Sequence, residues 1–526
     1  MTKYLLKRLI RGLISVAIVV IIVMALVYTF IDRDSIFNGD TQIQKQQHND
    51  KEVYKYTQWE RYGYLENLTY AEFLTSLEKQ GEISSENRAE AVKIGRTASS
   101  DSAITKVYVQ KFYEYCDQHG YKVVRLDAKL AGNRVPKGGE QRLFAYKEFS
   151  TLQRAWNFFK NLIQVDSIHY VEDDDQLVGE RGLSFTWYDP AYGGKKFSPA
   201  IIGNGTKYKY LVYFDNKFPF IHQNIVKINL GVSFSVNKGV DAFETMTQSQ
   251  GTNKQMLVTY PTGYQELSSD DLHMATFVKD SLTTGGDFAA ERFVDNYTNV
   301  GTVKSSMSRV GFSFVIGILS SIMAYVLGVP LGIMMARNKG KILDKLGTIY
   351  IVFIIAVPSL AYIFMFRALG MKMGLPGRFD VDSTSKLMYI LPIISLALPA
   401  VAGLMNWLRR YMIDQQNSDY VKFARSGGLS EREIFNKHIL KNAIIPLVHN
   451  IPGTILGAVV GAIITESIYA VPGTGKMLTE AITKYDNAVI VGLTMFYALL
   501  SIVSLILGDI LMAMVDPRIS FSDKAR

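Results

Sequence analysis

The chain has 526 residues, of which 48% are apolar and 20% are charged, and it carries a formal net charge of +9 and one cysteine. This composition excludes a collagen-like, an intrinsically disordered and a disulfide-stabilised protein. The basic excess lies beside the apolar segments, because residues 1–31 and 306–526 are basic whereas residues 32–305 carry slightly more acidic than basic side chains. A membrane protein with basic loops is therefore favoured over a protein that binds nucleic acid.

The first apolar segment, residues 13–31, has no charged side chain and follows Lys3, Lys7, Arg8 and Arg11. About 20 apolar residues are enough to cross a bilayer as a helix. The segment lacks the shorter apolar core and the small-residue cleavage site of a secretory signal. Residues 1–31 are therefore predicted to be a cytoplasmic N-terminus and a retained transmembrane helix.

Residues 32–305 contain no further segment of this kind and are predicted to form one extracellular domain. Residues 206–214 are rich in β-branched and aromatic side chains, which is typical of a strand. Elsewhere the apolar residues alternate between spacings of three and four, which indicates an amphipathic helix. These helix residues are Phe149, Leu152, Trp156, Phe159 and Ile163. We therefore predict an α+β insertion between the first two membrane helices.

Five further apolar segments follow, near residues 310–335, 346–365, 387–407, 444–469 and 488–514. The intervening loops 336–345 and 408–443 are rich in lysine and arginine, as expected of cytoplasmic loops. The prediction is an α-helical polytopic membrane protein with six transmembrane helices, both termini cytoplasmic, and a five-helix core in residues 306–526. Prolines at positions 330, 358, 392, 399, 446 and 452 predict kinks, which the bundle either tolerates or uses to move.

Catalytic chemistry is not indicated. The seven histidines are scattered without metal-ligand spacing, and Cys116 is interpreted as a small core residue rather than a nucleophile. The acidic run 172–175 lacks the spacing of a calcium loop and is interpreted as a solvated turn. Residues 473–476 resemble the end of a phosphate-binding loop, but Ala470 and Met477 stand where that loop requires glycine and a hydroxyl residue. No catalytic, cofactor-binding or metal site is predicted.

The cytoplasmic segment 419–446 predicts a helix, a turn and a second helix. Asn417 or Ser418 can cap the first helix, which Gly427 and Gly428 end, because glycine tolerates the left-handed conformation. Ser430 and Glu433 form the pattern of a capping box for the second helix. An apolar surface remains on this short hairpin, and such a surface predicts a partner. The alternative is a connector that packs on its own bundle. The apolar residues are Tyr420, Val421, Phe423, Ala424, Ile434, Phe435 and Ile439.

This segment resembles the EAA loop of ABC-importer permeases, in particular those of the oligopeptide and dipeptide family. Further motifs of that family match in order at residues 230–233, 328–332, 466 with 472–475, and 516–518. Ile228 and Asn229 stand where the family usually has Gly-Asp. The chain also has a much larger outer segment than most relatives, and in this it is similar to the oligopeptide permeases of Gram-positive streptococci.

The resemblance implies a type I ABC-importer bundle in the plasma membrane, with alternating access driven by partners. These partners are a second permease subunit, two cytoplasmic ATPases that bind ATP and Mg, and an extracellular lipoprotein that delivers peptide. The role of the outer domain does not follow from the resemblance; its position outside and its lack of a catalytic cluster predict that it handles the delivery protein. The residues that would couple this chain to the ATPases are Asp419, Ala424, Gly428, Leu429, Ser430, Glu433, His438 and Pro446.

Polar residues within the predicted spans are candidates for the translocation path. They are Ser359, Tyr362, Asn406, Thr465 and Glu466. Glu466 has the alternative role of holding the loop at Pro472. A permease for dipeptides, nickel or another small solute remains an alternative function. An exporter-type or mechanotransmitting subunit is less consistent, since such chains have three further spans rather than five, and a receptor would need a cytoplasmic signalling domain.

Overall fold

The computed structural model describes the first half of the outer segment, shorter stretches of its second half, and nearly all of the membrane core. The described residues are 2–38, 40–165, 182–188, 200–204, 212–213, 220–221, 226–236, 238–248, 250–251, 253–254, 256–259, 265–268, 303–304 and 306–515. The acidic run 172–175, residues 206–211 and 214 of the predicted strand and the 516–518 motif lie outside these ranges.

The helices, numbered in chain order, have the following bounds. They are α1 Thr2–Phe30, α2 Thr41–Lys45, α3 His48–Arg61, α4 Tyr70–Lys79, α5 Ser85–Ala91, α6 Ala103–His119, α7 Thr151–Asn161, α8 Ala242–Thr247, α9 Arg309–Arg337, α10 Ile342–Ala356, α11 Ser359–Lys372, α12 Ile390–Gln416, α13 Asp419–Ser426, α14 Glu431–Glu433, α15 Leu440–His449, α16 Ile451–Gly461, α17 Ile463–Tyr469, α18 Thr474–Thr483 and α19 Asn487–Val515. Three 3₁₀ turns, Arg33–Phe37, Ala98–Ser100 and Lys386–Tyr389, and a π-helical stretch, Ile434–Ile439, complete the helical elements of the described residues.

The strands pair in small antiparallel groups. They are β1 Leu65–Thr69, β2 Lys122–Leu126, β3 Arg142–Glu148, β4 Ile163–Val165, β5 Gly182–Thr186, β6 Ala200–Asn204, β7 Val212–Tyr213, β8 Phe220–Ile221, β9 Val226–Ile228, β10 Asn253–Lys254, β11 Met256–Thr259, β12 Gln265–Ser268 and β13 Val303–Lys304. One sheet has the order β1-β3-β2, and the pairs are β4-β9, β5-β6, β7-β8, β10-β13 and β11-β12. The outer segment is therefore of α+β type in its described parts.

The three-stranded sheet and helices α4 to α6 share one hydrophobic core. Tyr70, Leu74, Phe112 and Cys116 are almost completely buried there. Helix α6 begins at a Ser102 cap and ends at Gly120, whose φ of +73° suits glycine. The interpretation of Cys116 as a core residue is confirmed, and burial raises the pKa of its thiol to about 11.

The predicted amphipathic helix is confirmed as α7, but only part of its apolar face is covered. Ala155, Phe158 and Leu162 belong to a hydrophobic cluster with residues of α1 such as Met24 and Tyr28. The adjoining side remains open, since Leu152 and Trp156 are 75% and 70% exposed; Ile163, predicted as part of the helix, is the first residue of β4 and is 57% exposed. Helix α7 therefore joins the outer segment to the first membrane helix rather than lying in the core of the sheet.

Four helices are long and apolar enough to cross a membrane, namely Lys3–Phe30, Arg309–Arg337, Lys386–Gln416 and Asn487–Val515. Two bent pairs pass the same test: α10 with α11, at 112°, and Glu431–His449 with α16, at 46°. The described residues thus contain up to six spans if each bent pair counts as one.

The predicted single segments 346–365 and 444–469 are therefore wrong as continuous helices. Pro358 does not produce a mild kink inside a helix, because Val357 is extended and α11 starts anew after the proline. Pro446 remains inside α15, and Pro452 stands in the first turn of α16, where its missing N–H costs no helical bond.

The bundle is built on the packing of α9 against α12 and of α1 against α19. Gly328 and Gly332, in one of the family-like motifs, permit the close approach of α9 to α12, because an added Cβ would lie 3.0 Å and 3.2 Å from Leu404 and Leu408. The Arg409 guanidinium donates from Nε and Nη2 to the two carboxylate oxygens of the buried Asp344, with an Nη2–Oδ2 distance of 2.8 Å. This ion pair joins α10 to α12.

Candidate functional site

The segment 419–446 forms the predicted hairpin. Helix α13 ends at the Gly427 cap, and Gly428 has a φ of +81°. The capping box is confirmed, since Ser430 Oγ accepts from the Glu433 N–H and the Glu433 carboxylate accepts from the Ser430 N–H. Ser418 stands at the start of α13, but its hydroxyl donates to the Gln415 carbonyl instead of capping the helix.

The hairpin's apolar face is packed on this chain's own bundle. Val421 and Ile434 have no exposed surface. The Arg337 guanidinium carbon lies 4.8 Å from the centre of the Phe435 ring. The expectation that this whole surface needs a partner chain is therefore wrong. These side chains pack instead against α9 and α12. The cluster contains Ala336, Leu408, Met412, Val421, Ile434, Phe435, Ile439, Ala443 and Leu447, with Tyr420, Ala424 and Leu429 at its edge.

One aromatic side chain of the hairpin remains exposed, on a surface that also carries charged residues. Phe423 is 76% exposed. Beside it, Arg425 Nε lies 2.5 Å from a Glu431 carboxylate oxygen across the turn, and both side chains are more than half exposed. An exposed phenylalanine beside a fixed turn is a surface that a cytoplasmic partner can bind.

The second helix of the hairpin contains a feature that sequence reasoning missed. Residues Ile434–Ile439 form a π-helical turn between α14 and α15. His438 lies half-buried within it, and Pro446 lies half-buried in α15. A π turn widens one turn of the helix, and such turns recur at functional sites. No residue type in this stretch signals it.

At the opposite end of the bundle, Glu466 holds a loop in place. Its carboxylate has no exposed surface and accepts hydrogen bonds from Ser313 Oγ at 2.6 Å and from the Lys476 N–H at 2.9 Å. A Cβ on Gly473 would lie 2.2 Å from the carboxylate carbon. The glycine of the Pro472-Gly473 motif is thus required by the carboxylate beside it, which favours the loop-holding role of Glu466.

The other candidates for the translocation path differ in how deeply they are buried. Tyr362 and Thr465 are 4% and 2% exposed inside this chain, whereas Ser359 and Asn406 are half-buried. Tyr362 shares a hydrophobic cluster with Tyr469, whose hydroxyl lies 2.9 Å from Ser395 Oγ. No hydrogen bond among the described residues joins any two of the five candidates, so the structure does not bring them together as one polar site.

An open face does occur between α12 and the pair α15–α16. A cavity of about 260 Å³ is lined there by Gly403, Trp407, Asn450, Gly453 and Thr454, with Leu404 and Leu447. A Cβ added to Gly403, Gly453, Gly457 or Gly461 would meet no atom within 4 Å. The sequence analysis did not name these glycines, although their spacing of four along α16 places three of them on one side of the helix.

The motif at residues 230–233 is fixed to the last membrane helix by a carboxylate that sequence reasoning also missed. Asp486 Oδ2 accepts from Ser233 Oγ at 2.8 Å, the Phe234 N–H at 3.1 Å, and the Ser235 N–H and hydroxyl at 3.0 and 2.9 Å. Asp486 has no exposed surface. Gly231 has a φ of +93°. Residues 233–235 of the outer segment are therefore attached at the start of α19.

Comparison with known proteins finds relatives among the membrane proteins of transport systems. Residues 328–521 match the family model described as binding-protein-dependent transport system inner membrane component. The oligopeptide transport system permease protein AmiC of Streptococcus pneumoniae is 34% identical over 100% of this chain and 99% of its own length. The dipeptide transport system permease protein DppB of Lactococcus lactis is 33% identical, over 42% of this chain and 73% of its own.

Among solved structures, the inward-facing MetNI methionine ABC transporter matches 40% of this chain and 94% of its own, with 16% identity and a TM-score of 0.31.

Proposed function

Because the chain belongs to the oligopeptide permeases, the membrane subunits of ABC transporters for oligopeptides, we propose that it forms half of a translocation path and is driven through the loop 419–446. The observation that carries the assignment is the 34% identity to AmiC along the whole chain, which includes the enlarged outer segment. The dipeptide permease DppB matches only 42% of the chain, so a dipeptide importer is not favoured.

The partners follow from the family. A permease of this kind works with a second permease subunit, cytoplasmic ATPases and a substrate-binding protein. We infer that two ATPases bind ATP and Mg, that a lipoprotein delivers peptide to the outer domain, and that this chain is not itself an enzyme. The relatives AmiC and DppB are named as permease proteins of transport systems, which supports this division of labour.

The proposed topology has six spans in the plasma membrane, both termini in the cytoplasm, and residues 32–305 outside. Its support is the uncharged segment 13–31, the basic loops 336–345 and 408–443, and the presence of four single and two bent apolar elements. On this topology the hairpin lies at the cytoplasmic surface, where the ATPases are, and the Glu466 loop lies at the outer surface.

We propose that the hairpin couples the ATPases to the membrane helices by moving as a rigid body. Its apolar face is anchored on α9 and α12, so a force on Phe423 and the Gly428 turn is transmitted to the bundle rather than absorbed locally. The open face at Gly403, Gly453 and Gly457 supports a contact with the second permease or the path itself, because small residues allow a neighbouring helix to approach closely.

The test is ATP-dependent uptake of a labelled oligopeptide into vesicles that contain the assembled transporter. Phe423→Asp should leave the membrane insertion and the thermal stability of the chain unchanged, since the side chain is 76% exposed, yet reduce ATPase co-purification and uptake at least tenfold. Leu130→Asp, at a 58% exposed leucine in the outer segment, is the control and should retain the ATPases. Undiminished uptake in Phe423→Asp would remove the hairpin from the coupling, and uptake without this chain would refute the assigned function.

A further inference from the structure

Helix α7 carries an apolar face that is wider than the surface that covers it. At 100° per residue, Ala155, Phe158 and Leu162 lie on one side of the helix, toward α1. Leu152 and Trp156 lie on the adjoining side and are 75% and 70% exposed. An apolar strip of this kind on a domain surface requires a partner.

The position of α7 along α1 identifies the surroundings of this strip. The guanidinium of Arg154 lies over the Tyr28 ring at 4.9 Å and over the Tyr64 ring at 5.1 Å. Tyr28 is two residues from the end of α1 at Phe30, or about 3 Å along the helix axis. Because α1 is a membrane helix, α7 lies at the level where that helix leaves the hydrocarbon.

The membrane helix is open at the same level. Leu26 and Phe30 of α1 are 51% and 79% exposed, as lipid-facing residues are when no bilayer is present. A tryptophan is common at the membrane–water boundary, where its ring meets acyl chains and its N–H meets headgroups. The exposed Lys160 of α7 supplies a positive charge suited to phosphate headgroups.

We propose that α7 is an interfacial helix whose strip, Leu152 and Trp156 with Ile163 at the start of β4, lies in the lipid bilayer beside α1. The occupant of the strip is thus lipid and not a protein chain. The helix would fix the height and the tilt of the outer domain above the membrane, because it contacts α1 on one side and leads directly into β4 on the other. The inference depends on α1 being inserted, and the proposed topology assigns the helix to the outer leaflet.

The proposal is tested with nitroxide labels on the assembled transporter in proteoliposomes. Cys116→Ala removes the single cysteine, and Trp156→Cys or Leu152→Cys then introduces a label on the strip. Val107→Cys is the matched control, since Val107 is an exposed apolar residue, at 56%, on α6, whose principal contacts are with α4, α5 and β2. Collision rates with oxygen, which partitions into lipid, are compared with those of a water-soluble nickel chelate.

Labels at 152 and 156 should collide several-fold more with oxygen than with the nickel chelate, and the label at 107 should show the reverse. Equal or greater collision with nickel at 152 and 156 would place the strip in water and overturn the proposal. Protection from both reagents would show that a protein covers the strip, which overturns the lipid assignment as well. An error in the proposed sidedness would move the helix to the other leaflet without changing this pattern, so the two failures are distinguishable.

Discussion

At Gly428, the requirement for glycine comes from the backbone alone. Its φ is +81°, and an added Cβ would meet no atom within 4 Å. A substitution therefore costs about 1 kcal/mol of conformational strain and displaces nothing within this chain. Any larger effect of a side chain here has to come from a partner that contacts the turn.

We expect Gly428→Asp to insert and fold normally yet to lose the ATPases and peptide uptake, because a charge would be buried in the contact with the partner. Co-purification of the ATPases and ATP-dependent uptake are the measurements. Glu433→Ala should be milder, since the Ser430 hydroxyl still caps the Glu433 N–H. Gly374→Asp, at a glycine with a φ of +84° and the same open surroundings, controls for the strain. Equal behaviour of Gly428→Asp and Gly374→Asp would mean that the turn has no partner.

A second residue-scale prediction concerns the pH dependence of the outer domain. Burial opposes ionisation of Asp101, but hydrogen bonds from Arg125 and from the Gly95 N–H outweigh it and hold the pKa of this carboxyl below its usual range. The folded state then binds fewer protons than the unfolded state. The stabilisation is present above the unfolded pKa of about 3.9 and is lost as the pH falls through the lower folded value.

Asp101→Asn should therefore destabilise the domain at neutral pH by about 2 kcal/mol, with the difference from wild type vanishing in acid. Buried Cys116 reports opening of this core, because dithiodipyridine reacts with thiols at acidic as well as neutral pH. Labelling should be about 30-fold faster in the variant at neutral pH, at 1.36 kcal/mol per tenfold change. Asp127→Asn removes a 60% exposed carboxylate beside the same arginine and should change little. A difference that persists in acid would contradict the assignment to Asp101.

At the scale of elements, local chemistry predicted the ends of the hairpin but not its environment. The glycines after α13 and the Ser430–Glu433 box act within one turn of backbone, so the residues themselves determine them. Burial of Val421 and Ile434 depends on α9 and α12, which are distant in sequence, and no pattern within 419–446 contains that information. The same limit applies to Glu466 and Asp486, whose functions depend on donors from other segments.

The attachment of the outer segment to α19 gives a prediction at this scale. Asp486→Ala would remove the acceptor of four hydrogen bonds, two of them buried and two partly buried, at about 1–3 kcal/mol for each buried one, and should release residues 230–235 from α19. Hydrogen exchange at those residues should rise strongly while ATPase co-purification is retained, because the hairpin lies at the other end of the bundle on the proposed topology. Ser235→Ala removes one hydroxyl donor and should cause a small change. Unaltered exchange in Asp486→Ala would show that the segment is held by other contacts.

At the scale of the whole molecule, hydropathy located the six apolar elements that the described residues contain, because about 20 consecutive apolar residues are a strong signal wherever they occur. It did not predict that two of the six elements are bent pairs, since a proline is compatible with a kink, a break or an unbent helix. The 112° bend at Pro358 is determined by packing of α10 and α11 against different parts of α12. A measurement of which side each loop faces therefore tests both the number of spans and their direction.

That measurement is labelling of single cysteines in the Cys116→Ala chain with an impermeant thiol reagent. Ser198 and Ser268, in the middle of the outer segment, are natural choices from the sequence, although Ser198 lies outside the described residues. Ser99 and Ser426 are both exposed in the structure and form a better pair. In cells stripped of their wall, Ser99→Cys should be labelled directly and Ser426→Cys only after permeabilisation, because residues 32–305 and the hairpin lie on opposite sides when α1 and the five following elements each cross once. The reverse pattern would invert the topology. Labelling of both positions in sealed cells would mean that the bent pair between them, α10 with α11, re-enters the membrane without crossing it.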